Sequence, residues 1–210
     1  MKIFETPTLR CHLVAMSQER LTAFPLRHAR VHEVCGPSAL TFAAIAASLA
    51  GEPALWVRAG TYHDTVYPLG LVPFLDPSQL LLARAETHRD SLGVAEEALR
   101  SGALSFVVIE IRQPLDLREG RRLQLAARAG GTTGLCIIPQ GMGSNAAETR
   151  WHVAPLFDPS GEDSTLMRWE IIKNKTGTIE AWNVRWDPEA RRLHVVPPSR
   201  KRSGSEGASG

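Results

Sequence analysis

The sequence predicts an α/β fold: a mostly parallel sheet with helices on both faces, and an antiparallel extension at its C-terminal end. Three observations predict it. Between residues 29 and 138 short apolar runs alternate with helical segments, as they do when crossover helices join parallel strands. Leu104–Ile111 is apolar on both faces until Glu110, the pattern of a strand in the middle of a parallel sheet. From Arg150 onward apolar and polar residues alternate, and hairpin-turn residues separate the runs.

Taken in order, Leu9, Leu13, Met16 and Leu21 keep a loose helical rhythm over residues 8 to 24, and Pro25 marks the end of a short leading helix. Ala29–Cys35 alternates like a strand and breaks at Gly36-Pro37. Ser38 suits an N-cap for Ala39–Ala50, a helix apolar nearly all round and so expected to be buried, with Gly51 at its C′ position. Ala54–Arg58 and Gln79–Arg84 read as two further buried strands, separated by a loop rich in Gly and Pro. Asp90 is the expected cap of a helix over 91–101 that Gly102 ends, and Arg118–Ala129 is the next helix, closed by Gly130-Gly131. Gly134–Ile138 follows as a buried strand. The extension comprises Arg150–Leu156, Leu166–Lys173, Ile179–Trp186 and Leu193–Val196, with turns at Lys175-Thr176-Gly177 and Asp187–Ala190. Trp182, Val184 and Trp186 share one strand face, as do Trp169 and Ile171. The organisation expected is a helical lead-in over 1–28, one α/β domain over 29–196, and a disordered tail over 197–210, too polar to bury a core.

With 210 residues, 43% hydrophobic and 22% charged, the chain is expected to be one self-sufficient globular domain. A net charge of +2 lacks the strong basic excess of a dedicated DNA binder, so strong direct DNA binding is not expected. Cys11, Cys35 and Cys136 are far apart and form no CxxC pair, which reads as buried reduced thiols in a cytoplasmic protein. The N-terminus lacks the pattern of a signal peptide, and the most apolar helix is too short to span a bilayer. The seven histidines contain no HExxH and no Cys pairing, so neither a metal nor a cofactor is expected. His63-Asp64 has no nucleophile motif near it, and Arg200-Lys201-Arg202 reads as a solubilising cluster.

The candidate site is the loop at Gly36. A strand, a glycine turn and a buried helix build the anion cradle of phosphate-binding loops. The working form is G-x-x-x-x-G-K-[ST]. Counted from Gly36, its Gly, Lys and Ser/Thr positions hold Thr41, Phe42 and Ala43; if Thr41 is matched to the magnesium-binding hydroxyl, Leu40 replaces the lysine. Gly36, Pro37, Ser38 and Thr41 are therefore read as a vestigial nucleotide loop without its ammonium, and Leu40, Phe42 and Ala43 as packing residues. Glu110, ending the central strand, stands where nucleotide hydrolases place an acid for magnesium. Arg58-Ala59-Gly60-Thr61 offers no acid where a catalytic glutamate would follow the next strand. No catalytic residue is assigned, and no enzyme activity is expected.

Gly36-Pro37, Leu75–Leu81, Ala98–Ala103 before the central strand, and Ile171–Lys175 together resemble the RecA recombinase core. The sequence more closely resembles the ImuA family, through His32-Glu33-Val34, Glu97–Gly102, Arg121–Gly131 and Thr149-Arg150-Trp151 over about residues 32 to 193. That resemblance implies a RecA-like core and an accessory role in SOS mutagenesis and translesion synthesis. The partners it implies are ImuB, a polymerase relative without catalysis, and RecA itself. The segments Arg112–Arg118 and Gln140–Thr149, where a recombinase carries long DNA loops, are short here. The alternatives are a SulA-like or RecA-restraining inhibitor and an ATP-binding RecA-like enzyme.

Overall fold

The computed structural model describes residues 21, 23–51, 53–60, 66–158 and 164–197. Nine strands form one sheet in the order β3-β2-β4-β5-β1-β6-β7-β8-β9. The parallel part consists of β1 (Val31–Cys35), β2 (Ala54–Ala59), β3 (Leu80–Ala85), β4 (Phe106–Glu110) and β5 (Thr133–Ile137). β6 (Thr149–Pro155) runs parallel to β1 on one side and antiparallel to β7 (Leu166–Asn174) on the other. β8 (Ala181–Asp187) and β9 (Arg192–Val196) continue the antiparallel run. The expected extension is therefore present, and β6 is the strand at which direction reverses.

Helix α1 (Ala39–Ala50) covers one face, packing Phe42 and Ile45 against Val34, Trp56, Val108 and Leu135. On the other face lie α3 (His88–Ser101) and α4 (Leu117–Gly130), whose Leu92, Leu99 and Leu123 pack on Val57, Val107 and Ile109. β4 is buried along its whole length between β2 and β5, as the sequence predicts. Trp151, Trp169, Trp182 and Trp186 are buried against the α1 face, with Trp169 4.5 Å from Phe42 between ring centroids. Ring pairs of this kind add about 0.5–1.5 kcal/mol each beyond their buried area.

Several details differ from the sequence reading. α3 begins at His88, three residues before the expected start at Ser91: Thr87 is its N-cap, accepting from the Asp90 N–H at 3.1 Å, so Asp90 lies inside the first turn. α4 has a reciprocal capping box, with Asp116 accepting from Glu119 N–H and Glu119 from Asp116 N–H. β3 is not a buried strand; at the edge of the sheet it leaves Leu81 and Leu82 about half exposed. Its apolar composition cannot distinguish an edge from a centre. The loop before β3 carries a short helix α2 (Pro68–Leu71) and a single 3₁₀ turn at Pro77–Gln79. Residues 8–20 of the expected leading helix lie outside the described residues, and Leu21, Ala23 and Phe24 at its end are not helical. The tail from 198 and Cys11 lie outside them as well. Among the described residues no helix is long and apolar enough to cross a membrane.

Candidate functional site

The turn after β1 is tight and already engaged. Gly36 has φ +100°, a conformation that favours glycine, and a Cβ there would collide with the Val153 carbonyl oxygen of β6. The Ser38 N–H donates to that same oxygen at 3.1 Å, and the Ala39 N–H donates to the Gly36 carbonyl at 3.1 Å. The Phe42 N–H opens the helical ladder on the Ser38 carbonyl at 3.0 Å, and the Ser38 side chain makes no cap bond. A phosphate loop offers its amides outward to an anion; here the Ser38 and Ala39 amides close the turn onto β6 and onto itself. Pro37 supplies no amide at all. Phe42 and Ala43 are buried as packing residues. Leu40 is not: it is 55% exposed and, with half-buried Thr41, lines an open cleft.

That cleft, of about 460 Å³, lies over the C-terminal ends of β2 and β4. Its floor includes Trp56, Arg58 and Glu110. Register places Trp56 beside Val108, so Trp56, Arg58, Val108 and Glu110 point to the α1 face together. Glu110 is 6% exposed, and its Oε1 accepts from Trp56 Nε1 at 2.7 Å while Arg58 Nε lies 2.9 Å from the same oxygen. The sequence positions for a metal-binding acid and for a catalytic acid thus hold the two halves of one ion pair. A divalent cation at Glu110 would have to displace the Arg58 guanidinium from that oxygen. Among the described residues no three His, Cys, Asp or Glu side chains come together to hold a metal.

The outer wall of the cleft is the segment joining β2 to β3. Val66, Tyr67, Leu71 and Phe74 line the cleft, while Leu75 is buried in the α1-side core. Trp186 on β8 donates its Nε1 proton to the Pro73 carbonyl at 2.7 Å. The segment therefore crosses the α1 face and is fastened to the antiparallel extension. Sequence reasoning missed this wall, because a Gly- and Pro-rich loop carries no signal of where it lies.

A second polar cluster lies behind the turn. Glu33 on β1 is 1% exposed; it accepts from the Ser144 N–H at 2.7 Å and from Arg150 Nε at 2.7 Å. Lys173 Nζ donates to the carbonyls of Ser144, Asn145 and Ala147 at 3.3, 3.1 and 2.6 Å, and Lys175 Nζ to Ala146 at 2.6 Å. Burial lowers the Lys173 ammonium below its usual range, while Glu33 opposes that shift. The segment after β5 is thus folded onto the sheet by two lysines and a carboxylate. The Ile171–Lys175 stretch marked those lysines by resemblance, but nothing in their spacing revealed their carbonyl partners. Beside them His32 is buried, with Nδ1 2.7 Å from Thr149 Oγ1 and Nε2 3.0 Å from the Arg27 carbonyl. Arg112–Arg118 is a short exposed connection that ends in the α4 capping box. Cys35 and Cys136 are both buried, and burial pushes both thiols up.

The sequence matches no protein-family model and no curated protein. Among solved structures it is similar to the crystal structure of the RadB recombinase, with a TM-score of 0.59 and 16% identity, covering 81% of this chain and 92% of that one. The likeness shows the fold: a RecA-like core with a mostly parallel sheet and antiparallel C-terminal strands.

Proposed function

We propose that this chain is a non-catalytic RecA-like accessory protein of damage-induced mutagenesis, of the ImuA kind. It acts by binding an ImuB-like polymerase relative, with RecA as a second partner. The observation that carries the reading is the occupation of the nucleotide position from within. The Ser38 amide is bonded to Val153, Leu40 stands where the lysine would, and Glu110 is paired with Arg58 and Trp56. An apolar side chain in place of an ammonium leaves a triphosphate without close compensation in a site of low dielectric. The fold supplies a rigid frame, and losses at three separate catalytic positions fit a frame kept for binding.

Two measurements test it. Titration of labelled ATP with magnesium onto the purified chain is expected to show no binding tighter than about 100 μM, near ordinary substrate affinities. Tighter binding would overturn the non-catalytic reading. Co-purification from DNA-damaged cells is expected to recover an ImuB-like protein or RecA, and recovery of neither overturns the assigned partners.

A further inference from the structure

We propose that the outer face of α4 is the docking site for an acidic, amphipathic helix of a protein partner, whose carboxylates meet Arg118, Arg121 and Arg128 while its apolar side chains pack around Leu125. This face lies across the sheet from α1 and the turn at Gly36, so the inference goes beyond the reading above and does not depend on it. The exposed residues of α4 are Leu117, Arg118, Arg121, Arg122, Leu125, Arg128 and Ala129. At about 100° per residue they share one arc of roughly 140°, with Leu125 near its middle. No carboxylate lies among them. Leu125 is 66% exposed and Leu117 47%. Arg122 is bonded to Glu96 of α3. Among the described residues, Arg118, Arg121 and Arg128 have no ion pair and no side-chain hydrogen bond.

The helix gains little from these cations itself. Arg118 is in the first turn, where the helix dipole disfavours positive charge, and it stands one turn from like-charged Arg122. Only Arg128, in the last turn, sits where the dipole favours a cation. The carboxylates nearby are already engaged. Asp116 and Glu119 close the capping box, Glu97 on α3 pairs with Arg100, and Asp90 accepts from Thr87 Oγ1. On the other flank, Gly120 and Gln124 abut Ser144 and Ala146, and residues 140–146 carry no charged side chain. An anionic partner would therefore relieve the repulsion on this face. The two leucines decide its kind. A phosphate backbone would engage the arginines but leave Leu117 and Leu125 unmatched, and no aromatic side chain stands on the face to stack a base. An acidic helix matches both, with apolar anchors at helical spacing on the leucines and carboxylates on the guanidinium forks. With 14 residues, α4 offers such a helix about 21 Å at 1.5 Å per residue. Leu123, Ala126 and Ala127 fix α4 in the core, which limits the ordering cost of binding.

The test uses a phage-displayed library of random 16-residue peptides, selected on the full chain and counter-selected on an Arg121→Glu, Arg128→Glu double variant. Both positions are exposed, and circular dichroism checks that the variant is folded. The expected result is a set of net-acidic peptides with large apolar residues at helical spacing. The best peptide should bind at least ten-fold more weakly to Arg121→Glu, to Arg128→Glu and to Leu125→Glu, and equally well to Leu40→Glu across the sheet. Arg118→Glu should weaken binding without lowering Tm, because an acid suits the first turn. A lower Tm with unchanged affinity would assign that arginine to stability and overturn the proposal. Basic or uncharged winners, no enrichment over the double variant, or equal binding to all variants overturns it too. A single strand of about 20 nucleotides that displaces the peptide, and that the same substitutions weaken, overturns it in favour of nucleic acid. Self-association of the wild-type chain that Leu125→Glu abolishes overturns it in favour of a second copy. ATP binding enters none of these outcomes, so this proposal and the non-catalytic reading fail separately.

Discussion

At the scale of single residues, Gly36 and His32 carry the clearest consequences. Gly36 adopts a left-handed φ, and the space for a Cβ is filled by the Val153 carbonyl that also receives the Ser38 amide. Gly36→Ala should therefore cost about 2–4 kcal/mol, combining backbone strain with a displaced β6; urea unfolding of the variant measures it. His32 is buried among Arg27, Arg30, Glu148 and Thr149, and burial lowers it from 6.5 to about 4. Its folded value lies below its unfolded value, so protons favour the unfolded chain. The contribution is complete above about pH 6.5 and is lost as the pH falls toward 4. At 1.36 kcal/mol per pH unit this amounts to roughly 3 kcal/mol. Comparing the unfolding free energies of the wild type and His32→Gln at pH 7 and pH 4.5 should show the wild type losing more stability on acidification. Equal losses would contradict a neutral buried imidazole.

At the scale of elements, the segment after β5 depends on a strand that the chain makes almost thirty residues later. Lys173 holds three of its carbonyls, and bonds to a charged donor are worth about 1.5–3 kcal/mol. Lys173→Met keeps the apolar stem and removes the ammonium. Amide exchange in residues 139–148 should then quicken by at least ten-fold while β4 stays protected, as expected for a local opening. The same comparison marks what the sequence could reveal. Central strand β4, buried helix α1 and the alternating β7 and β8 were legible because each has a period and a boundary that local chemistry sets. The Gly36 turn was legible as a turn, and its missing lysine as a loss. The Arg58–Glu110 pair was not, because register between strands 52 residues apart decides it (110 minus 58). Nor was the exposure of Leu40, since a helix apolar all round gives no sign of which side stays uncovered. The edge position of β3 escaped for a related reason: strand order is a property of the whole sheet.

At the scale of the molecule, the parallel and antiparallel halves of the sheet are not separable units. β6 pairs with β1 and β7, Phe42 of α1 packs on Trp151 and Trp169, and Trp186 reaches back to Pro73. One cooperative transition is expected, with calorimetric and van't Hoff enthalpies equal. A ratio well above one would mean that the extension unfolds by itself. The placement of the indoles then has an optical consequence. All five tryptophans are buried, but four belong to the extension and its seam with α1, whereas Trp56 alone borders the cleft, bonded to Glu110. The protein is thus spectrally partitioned. Replacing the four by phenylalanine in turn would assign the emission band, and the part that survives in their absence would report from the floor of the cleft, where any change around Glu110 would quench it or shift its colour.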